Sequence, residues 1–236
     1  MTAARFGNPR QHRRSCGSTN DLARELAAAG APQGAVVTAG EQLAGRGRQG
    51  RIWTAPAGKA LLYSAIVRPL DERHLLLPLA APLAVAEAVE SVAPVSCAVK
   101  WPNDVWIEER KCAGVLIEAR PQDGWAVVGV GLNVSIGPDE FPAEIRDTAV
   151  SVGNGVTVDG ALAALNQSLA RWVAAEPDQV LAGFRDRDAL RGREVSWAEG
   201  SGVATGVDAN GNLLVETSAG ERLALGAGEV HLASGP

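Results

Sequence analysis

Three short segments of this chain carry residue types that can act on a phosphate or a carboxylate. The first, Gly45-Arg46-Gly47-Arg48-Gln49-Gly50-Arg51, sets three guanidinium groups among three glycines. Arginine offers forked donors to phosphate or carboxylate, and glycine lets the backbone come close to a bound anion. Gly45, Gly47 and Gly50 also satisfy the spacing of a dinucleotide-binding fingerprint, but that motif must open a helix and this segment runs into IWTAPAG. No Gly-Lys-Ser/Thr completes a P-loop. A mobile, cation-bearing loop over a phosphate and a solvated Arg/Gly loop both remain open on this segment alone.

The second segment is Lys100-Trp101-Pro102-Asn103-Asp104, followed by Lys111 in RKCAGVLIE. Pro102 and Asn103 force a turn between two strands. Asp104 offers a hard oxygen ligand of the kind Mg²⁺ prefers. Lys111 stands before Ala113-Gly114 and an apolar run, where its ammonium could enter a pocket and act as a point charge between a carboxylate and a phosphate. A hairpin tip with a solvated lysine is the plainer reading. The third segment, Gly129-Val130-Gly131-Leu132-Asn133, ends an apolar run with small residues and an amide that could meet an adenine edge or merely close a strand.

The elements that must position these residues are legible from periodicity. Ser18-Thr19-Asn20 precede DLARELAAAG, whose Leu22, Leu26 and Ala29 recur at helical spacing; Ser or Thr can cap the free amides and Gly30 can end the helix. AVVTAGEQ (35–42) and ALLYSAIV (60–67) read as strands on either side of the Gly/Arg segment. Residues 72–92 are helical; the apolar run within them is broken by Pro78, Pro82 and Glu87, so it reads as a core helix rather than a membrane span. From 96 to 134 the pattern is β, and 159–175 and 177–190 are helical. After about residue 190 short alternating runs take over, with an Asn210-Gly211 hairpin signal. The expected class is α+β: a loose arm over 1–15, a mixed-sheet catalytic domain over 16–189, and a small SH3-like β-barrel over 190–236.

Composition narrows the functions further. The 236 residues carry a formal net charge of −5, against the basic surface that general nucleic-acid binding needs. Cys16, Cys97 and Cys112 are too few and too scattered for a disulfide framework or a zinc site, which suits a reducing cytoplasm. Cys112 reads as a packing residue. The N-terminus has basic residues without an apolar run behind them, so no signal peptide is expected.

Taken in order, GSTN, EQxxGRGRxGRxW, KWPNDxxxxxxKxAGxLIE and GxGxN resemble the catalytic domain of biotin protein ligases over about residues 16–135, and the β region after 190 is similar to that family's C-terminal SH3-like domain. The resemblance implies an ATP-dependent biotin–[biotin carboxyl carrier protein] ligase that forms biotinyl-5′-AMP and transfers biotin to a lysine of a carrier protein or domain. It implies that Ser18, Thr19, Asn20 and Gln42 meet the ureido ring, and that Gly45, Arg46, Gly47 and Arg48 belong to a loop that orders over biotin and the adenylate, with Arg48 retaining the intermediate. Lys111 matches the lysine on the biotin carboxylate and the phosphate, Gly114 the pocket wall, and Asn133 the adenine contact. Trp53 lies close to the nucleotide, with Arg51 and Asn103 beside it. Asp104 is the residue expected near Mg²⁺, with ATP and Mg²⁺ required and no tightly bound metal. Gln49 departs from the basic or histidine residue common in relatives, outside the assigned roles.

Family members with a winged helix-turn-helix before GSTN repress biotin genes; the few residues preceding it here point to the monofunctional form without DNA binding. No membrane partner is expected, and a homodimer is left open. A lipoate or octanoyl ligase shares the fold and the lysine but not the GRGRxGRxW and KWPND segments. A non-catalytic biotin-binding sensor would not need the full set of arginines and lysine.

Overall fold

The structure, a computed structural model, describes residues 5–226 and 230–232. Its elements are β1 (Arg10–Arg13), α1 (Thr19–Ala28), β2 (Val36–Ala39), β3 (Ala60–Val67), α2 (Leu77–Val92), β4 (Cys97–Lys100), β5 (Asp104–Ile107), β6 (Arg110–Arg120), β7 (Trp125–Asn133), α3 (Val158–Val173), α4 (Pro177–Arg187), β8 (Glu194–Trp197), β9 (Gly200–Val207), β10 (Leu213–Glu216), β11 (Arg222–Leu225) and β12 (His231–Leu232). The first seven strands form one mixed sheet in the order β1-β2-β3-β7-β6-β5-β4, parallel between β1 and β2 and antiparallel elsewhere.

Side chains alternate across a pleated strand, so one register assigns each residue of the central strands to a face. Leu61, Tyr63, Ala65 and Val67 of β3 join Val128, Val130 and Leu132 of β7 and Ala113 and Val115 of β6 in a large core closed by α2 and α3. On the opposite face Val37, Ile66 and Val127 pack under Ala23 and Ala27 of α1. Both faces of β3 are therefore covered, which is why ALLYSAIV is buried throughout and apolar but for Ser64 instead of alternating. From the first turn of α1 onward that second face carries Gly114, Leu116, Gly129 and Gly131, and there a cavity opens.

The run Glu72–Val92 is long and apolar enough to cross a membrane by length and composition. Here its apolar surface is spent on the sheet and on α3: Leu79, Ala81, Leu83, Val85 and Val89 are all buried in the core.

The C-terminal strands form a five-stranded antiparallel sheet, β11-β10-β9-β8-β12. The turn between β9 and β10 is the expected Asn210-Gly211 hairpin, held by Asp208 Oδ1, which accepts from the amides of Asn210 and Asn212. This turn docks onto the larger sheet: the Gly211 carbonyl accepts from Trp101 Nε1 at 3.0 Å, and Gly211 lies against Leu76 and Leu79. A β unit of this size has too little core of its own and gains it from such a contact.

In the N-terminal arm over residues 1–15, the basic stretch 10–14 reads from sequence as a solvated strand or arm, and the structure makes Arg10–Arg13 a sheet strand. It runs in parallel register from Arg10 with Val36 to Arg13 with Ala39. Arg10 Nε donates to Thr38 Oγ1, and Phe6 is buried in the core. An edge strand with solvated arginines has no hydrophobic alternation, so a pairing made through the main chain leaves little trace in composition.

Candidate functional site

Two neighbouring strands, β6 and β7, place the cavity floor. Gly129 and Gly131, two residues apart on β7, face the same side as Gly114 on β6. A β-carbon on Gly131 would collide with the Trp53 indole, and one on Gly129 with the Asn20 amide. Side chains from distant elements therefore lie flat on this sheet only because the strand carries glycine there. The cavity above has a volume of about 570 Å³.

At one end sit Ser18, Thr19 and Asn20, all buried. Ser18 occupies the N-cap position of α1 but makes no side-chain capping bond. The GSTN polar groups instead form a network. Thr19 N and Oγ1 both donate to Gln42 Oε1, at 2.7 and 3.0 Å. Ser64 on β3, fully buried, lies 2.8 Å from Thr19 Oγ1 and donates to Asn20 Oδ1 at 2.6 Å. Asn20 Nδ2 donates onward to Glu118 Oε2 at 2.8 Å. Burial alone would raise the Glu118 carboxyl, but hydrogen bonds from Asn20 and Arg24 and the charges of Arg46 and Arg24 outweigh it and leave it below the ordinary glutamate value.

At the other end the turn between β4 and β5 meets the start of β6. Lys111 Nζ is 2.7 Å from Asp104 Oδ1, whose side chain is 15% exposed, and 5.7 Å from the Trp53 ring centroid. Asn103 Nδ2 donates to the same Asp104 oxygen at 3.0 Å, and Asn103 Oδ1 accepts from Arg48 Nη1 at 3.2 Å. Arg48, Asn103, Asp104 and Lys111 thus form one connected chain of polar groups along a wall. The base of Lys111 is held from two sides: its main chain pairs with Trp106 of β5, and it bonds to Thr148 O and Val150 N at 2.7 and 3.0 Å. Asn133 lines the cavity, and its Nδ2 donates to Val150 O at 3.1 Å and reaches Lys111 O at 3.5 Å, which braces the lysine's strand.

Between the two ends runs the Gly/Arg loop, folded as a narrow hairpin. Arg46 and Ile52 pair as an antiparallel bridge, Gly47 N donates to Arg51 O at 2.7 Å, and Trp53 N donates to Gly45 O at 3.0 Å. Gly45 is required by close approach, since a β-carbon there would collide with the Trp53 carbonyl. Trp53 lines the cavity, and its Nε1 is buried with no hydrogen-bond partner among the described residues. Among the described residues no three His, Cys, Asp or Glu side chains gather as a metal site. Asp104 supplies a single carboxylate, a donor set that suits an ion carried in by nucleotide phosphates.

The biotin/lipoate A/B protein ligase family matches residues 13–135, and the biotin protein ligase C-terminal domain matches residues 192–232. The chain belongs to the biotin/lipoate protein ligase family. It is 33% identical over 225 residues to the bifunctional ligase/repressor BirA of Bacillus subtilis, covering 86% of this chain and 68% of that one. It is 35% identical over 234 residues to the biotin–[acetyl-CoA-carboxylase] ligase of Mycobacterium tuberculosis, covering 92% and 86%. The solved biotin protein ligase from Aquifex aeolicus in complex with biotin and ATP is similar with a TM-score of 0.82 at 28% identity, over 96% of this chain and 99% of that one.

For this family member, the structure gathers around one cavity Ser18, Thr19, Asn20, Gln42, Arg46, Gly47, Arg48, Arg51, Trp53, Asn103, Asp104, Lys111, Gly114 and Asn133, every site residue expected from sequence except Gly45, which holds the loop's hairpin behind them. Sequence reasoning singled out the Gly129–Asn133 segment without giving Gly129 and Gly131 a role, and it missed Ser64, which ties Thr19 and Asn20 together, and the reach of His231 and Leu232 of the C-terminal sheet to the cavity. The small glycines were visible as GVG; the Ser64 and His231 contributions had no local signal. Gly131→Ala is expected to push the Trp53 ring off the floor and weaken ATP binding about tenfold, about 1.4 kcal/mol, with little change in melting temperature. Titration calorimetry checks this, and unchanged affinity would show that Trp53 does not bear on the nucleotide.

Proposed function

We propose that this chain is a biotin protein ligase whose cavity binds biotin at the Ser18–Gln42 end and ATP at the Lys111 end. The observation that carries this reading is the Arg48–Asn103–Asp104–Lys111 chain facing the amide and hydroxyl network across one cavity. Ser18, Thr19, Asn20 and Gln42 supply paired donors and acceptors suited to a ureido ring. Lys111 and Arg48 bring positive charge to the point where two anions must meet. Biotin's carboxylate oxygen attacks the α-phosphorus of ATP, pyrophosphate leaves, and a mixed anhydride forms. The cations reduce the repulsion of the approach and stabilise charge gathering on the phosphoryl oxygens. Asp104 is the carboxylate that would hold a Mg²⁺ ion brought in with the nucleotide, and the ion would supply further charge neutralisation.

In the second step the amine of a carrier-protein lysine attacks the biotinyl carbonyl and AMP leaves. Water would destroy the anhydride, so the Gly/Arg loop must cover it until the carrier arrives. Trp53, Arg51 and Asn103 line the nucleotide side, and Gly114 leaves room beside the Lys111 ammonium. Asn133 supports the same side through the Lys111 main chain. The carrier is a biotin carboxyl carrier protein or domain, and the setting is the cytoplasm, where ATP is available and Cys16, Cys97 and Cys112 stay as free thiols. Residues 16–189 make up the catalytic domain and 190–236 the C-terminal domain; residues 227–229 and 233–236 lie outside the described residues.

The deciding experiment incubates the protein with biotin and ATP labelled at the α-phosphate. Biotinyl-AMP and pyrophosphate are expected in equal amounts, followed by biotin on a carrier domain when one is added. Activation of lipoate or octanoate in preference to biotin would move the chain to the lipoate branch. Binding of biotin with no adenylate would leave a sensor. In the same preparation, proteolysis at Arg46, Arg48 or Arg51 is expected to slow at least severalfold once biotin and ATP are present. Equal cleavage rates with and without ligand would contradict a loop that closes over the intermediate.

A further inference from the structure

The three arginines of the Gly/Arg loop are alike in sequence, but Arg46 and Arg48 are held at opposite sides of the cavity. Arg48 reaches Asn103 on the Lys111 side. Arg46 Nη2 turns the other way and binds two carboxylates, Asp21 Oδ1 of α1 at 2.7 Å and Glu118 Oε2 of β6 at 2.9 Å. At about 3.3 Å per strand residue, the seven positions from Lys111 to Glu118 place these ends on the order of 20 Å apart. The loop is a strap across the cavity mouth, and Arg46 is its tether on the side away from Lys111.

We propose that Glu118, with Asp21, is a positioning residue that latches the Gly/Arg loop, and that Arg46 serves as the loop's anchor and not as a phosphate contact. The tip of the hairpin, residues 46–52, is mostly exposed and cannot hold one position by burial, although Trp53 at its base packs on the cavity floor. A forked guanidinium shared between two elements can, because it fixes direction as well as distance. Glu118 is suited to the task by what else it binds. Its Oε1 accepts from Arg24 Nη1 at 2.8 Å and its Oε2 from Asn20 Nδ2, so the carboxylate is already oriented when Arg46 arrives. Through Asn20 the latch is also joined to Ser64 and to the network that grips Gln42, immediately before the loop. Occupancy of the inner end of the cavity is in this way mechanically coupled to the position of the strap.

The test compares Asp21→Asn, Glu118→Gln and the double variant by hydrogen exchange in the free protein, which needs no assumption about the substrate. Amides of Gly47 and Trp53 are expected to exchange about tenfold faster in the double variant, while those of Val127–Val130 in β7 are unchanged. In an Arg46→Ala background the same substitutions should add nothing. Faster exchange along α1 with an unchanged loop, or full additivity with Arg46→Ala, would overturn the latch and leave Glu118 as a helix support. The consequence for the intermediate rests on the ligase reading: Asp21→Asn should release biotinyl-adenylate severalfold faster with the rate of its formation at saturating biotin and ATP within about twofold. Slower formation with unchanged release would also count against the latch. If no variant and not the unaltered protein makes adenylate, the ligase reading fails while the exchange result still decides the latch.

Discussion

Lys111→Ala is expected to lower adenylate formation at least a hundredfold at saturating biotin and ATP, about 3 kcal/mol in the barrier. The size follows from the position of the ammonium. It projects into the cavity beside Gly114, 2.7 Å from Asp104, from a stretch of main chain pinned to β5 and to residues 148–150. Charge held in place before the reaction costs no reorganisation when the carboxylate and phosphate meet, so its removal is felt in the rate more than in the affinity. Lys111→Arg should not restore the rate, because a planar fork on a longer stem cannot place its charge at the point that the compact ammonium occupies. The variant should stay folded, since the lysine is part-exposed and its strand is held by main-chain bonds. Single-turnover formation of biotinyl-AMP measures the effect, with melting temperature as the control. Turnover within about threefold of normal would remove Lys111 from the catalytic role.

Arg48→Gly is expected to do something different: adenylate still forms but escapes. Arg48 stands at the tip of the strap and is tied to Asn103, on the wall shared with Asp104 and Lys111. Removing its guanidinium frees that side of the strap while the lysine that serves the chemistry stays in place. Released biotinyl-AMP is an activated acyl group and acylates exposed lysines of whatever protein is near. Mixing the variant with biotin, ATP and an unrelated bystander protein, then blotting for biotin, should show bystander labelling at least tenfold above the unaltered protein. If Arg48 only neutralises ATP, the variant instead shows a raised apparent KM for ATP and labels the cognate carrier alone, with adenylate still tightly bound. That outcome would sink the retention role.

Arg46 and Arg48 also mark how far the sequence could be read. Both stand in the same Gly/Arg pattern, and nothing in their spacing distinguishes them. Their partners come from α1, β6 and the β4–β5 turn, brought to the loop by sheet pairing across dozens of residues. Residue type announced a cation-bearing loop; tertiary placement assigned one arginine to each side of the cavity. Ser18 is a similar case. As a Ser before a helix it reads as a cap, yet it makes no capping bond, because the floor of β7 lets its neighbours Thr19 and Asn20 turn inward to Gln42, Ser64 and Glu118.

What the sequence by itself determined is local. Helix and strand periods placed α1, β3, α2 and α3, because burial on one or both faces writes itself into the spacing of apolar residues. The long motifs carried the site, because the residue types that can act on a phosphate or a carboxylate stand close together in three short segments of the chain. Only the tertiary structure decided the rest. The strand Arg10–Arg13 is held by main-chain bonds that do not depend on side-chain type. Asn133 was readable as an amide at a strand end, but the bond from its Nδ2 to Val150 O depended on where residues 148–150 pass. His231 and Leu232 reach the cavity because the β9–β10 turn docks on Trp101, a contact between residues 110 positions apart. Long-range packing of this kind has no period and no motif, so it becomes visible only when the chain is folded.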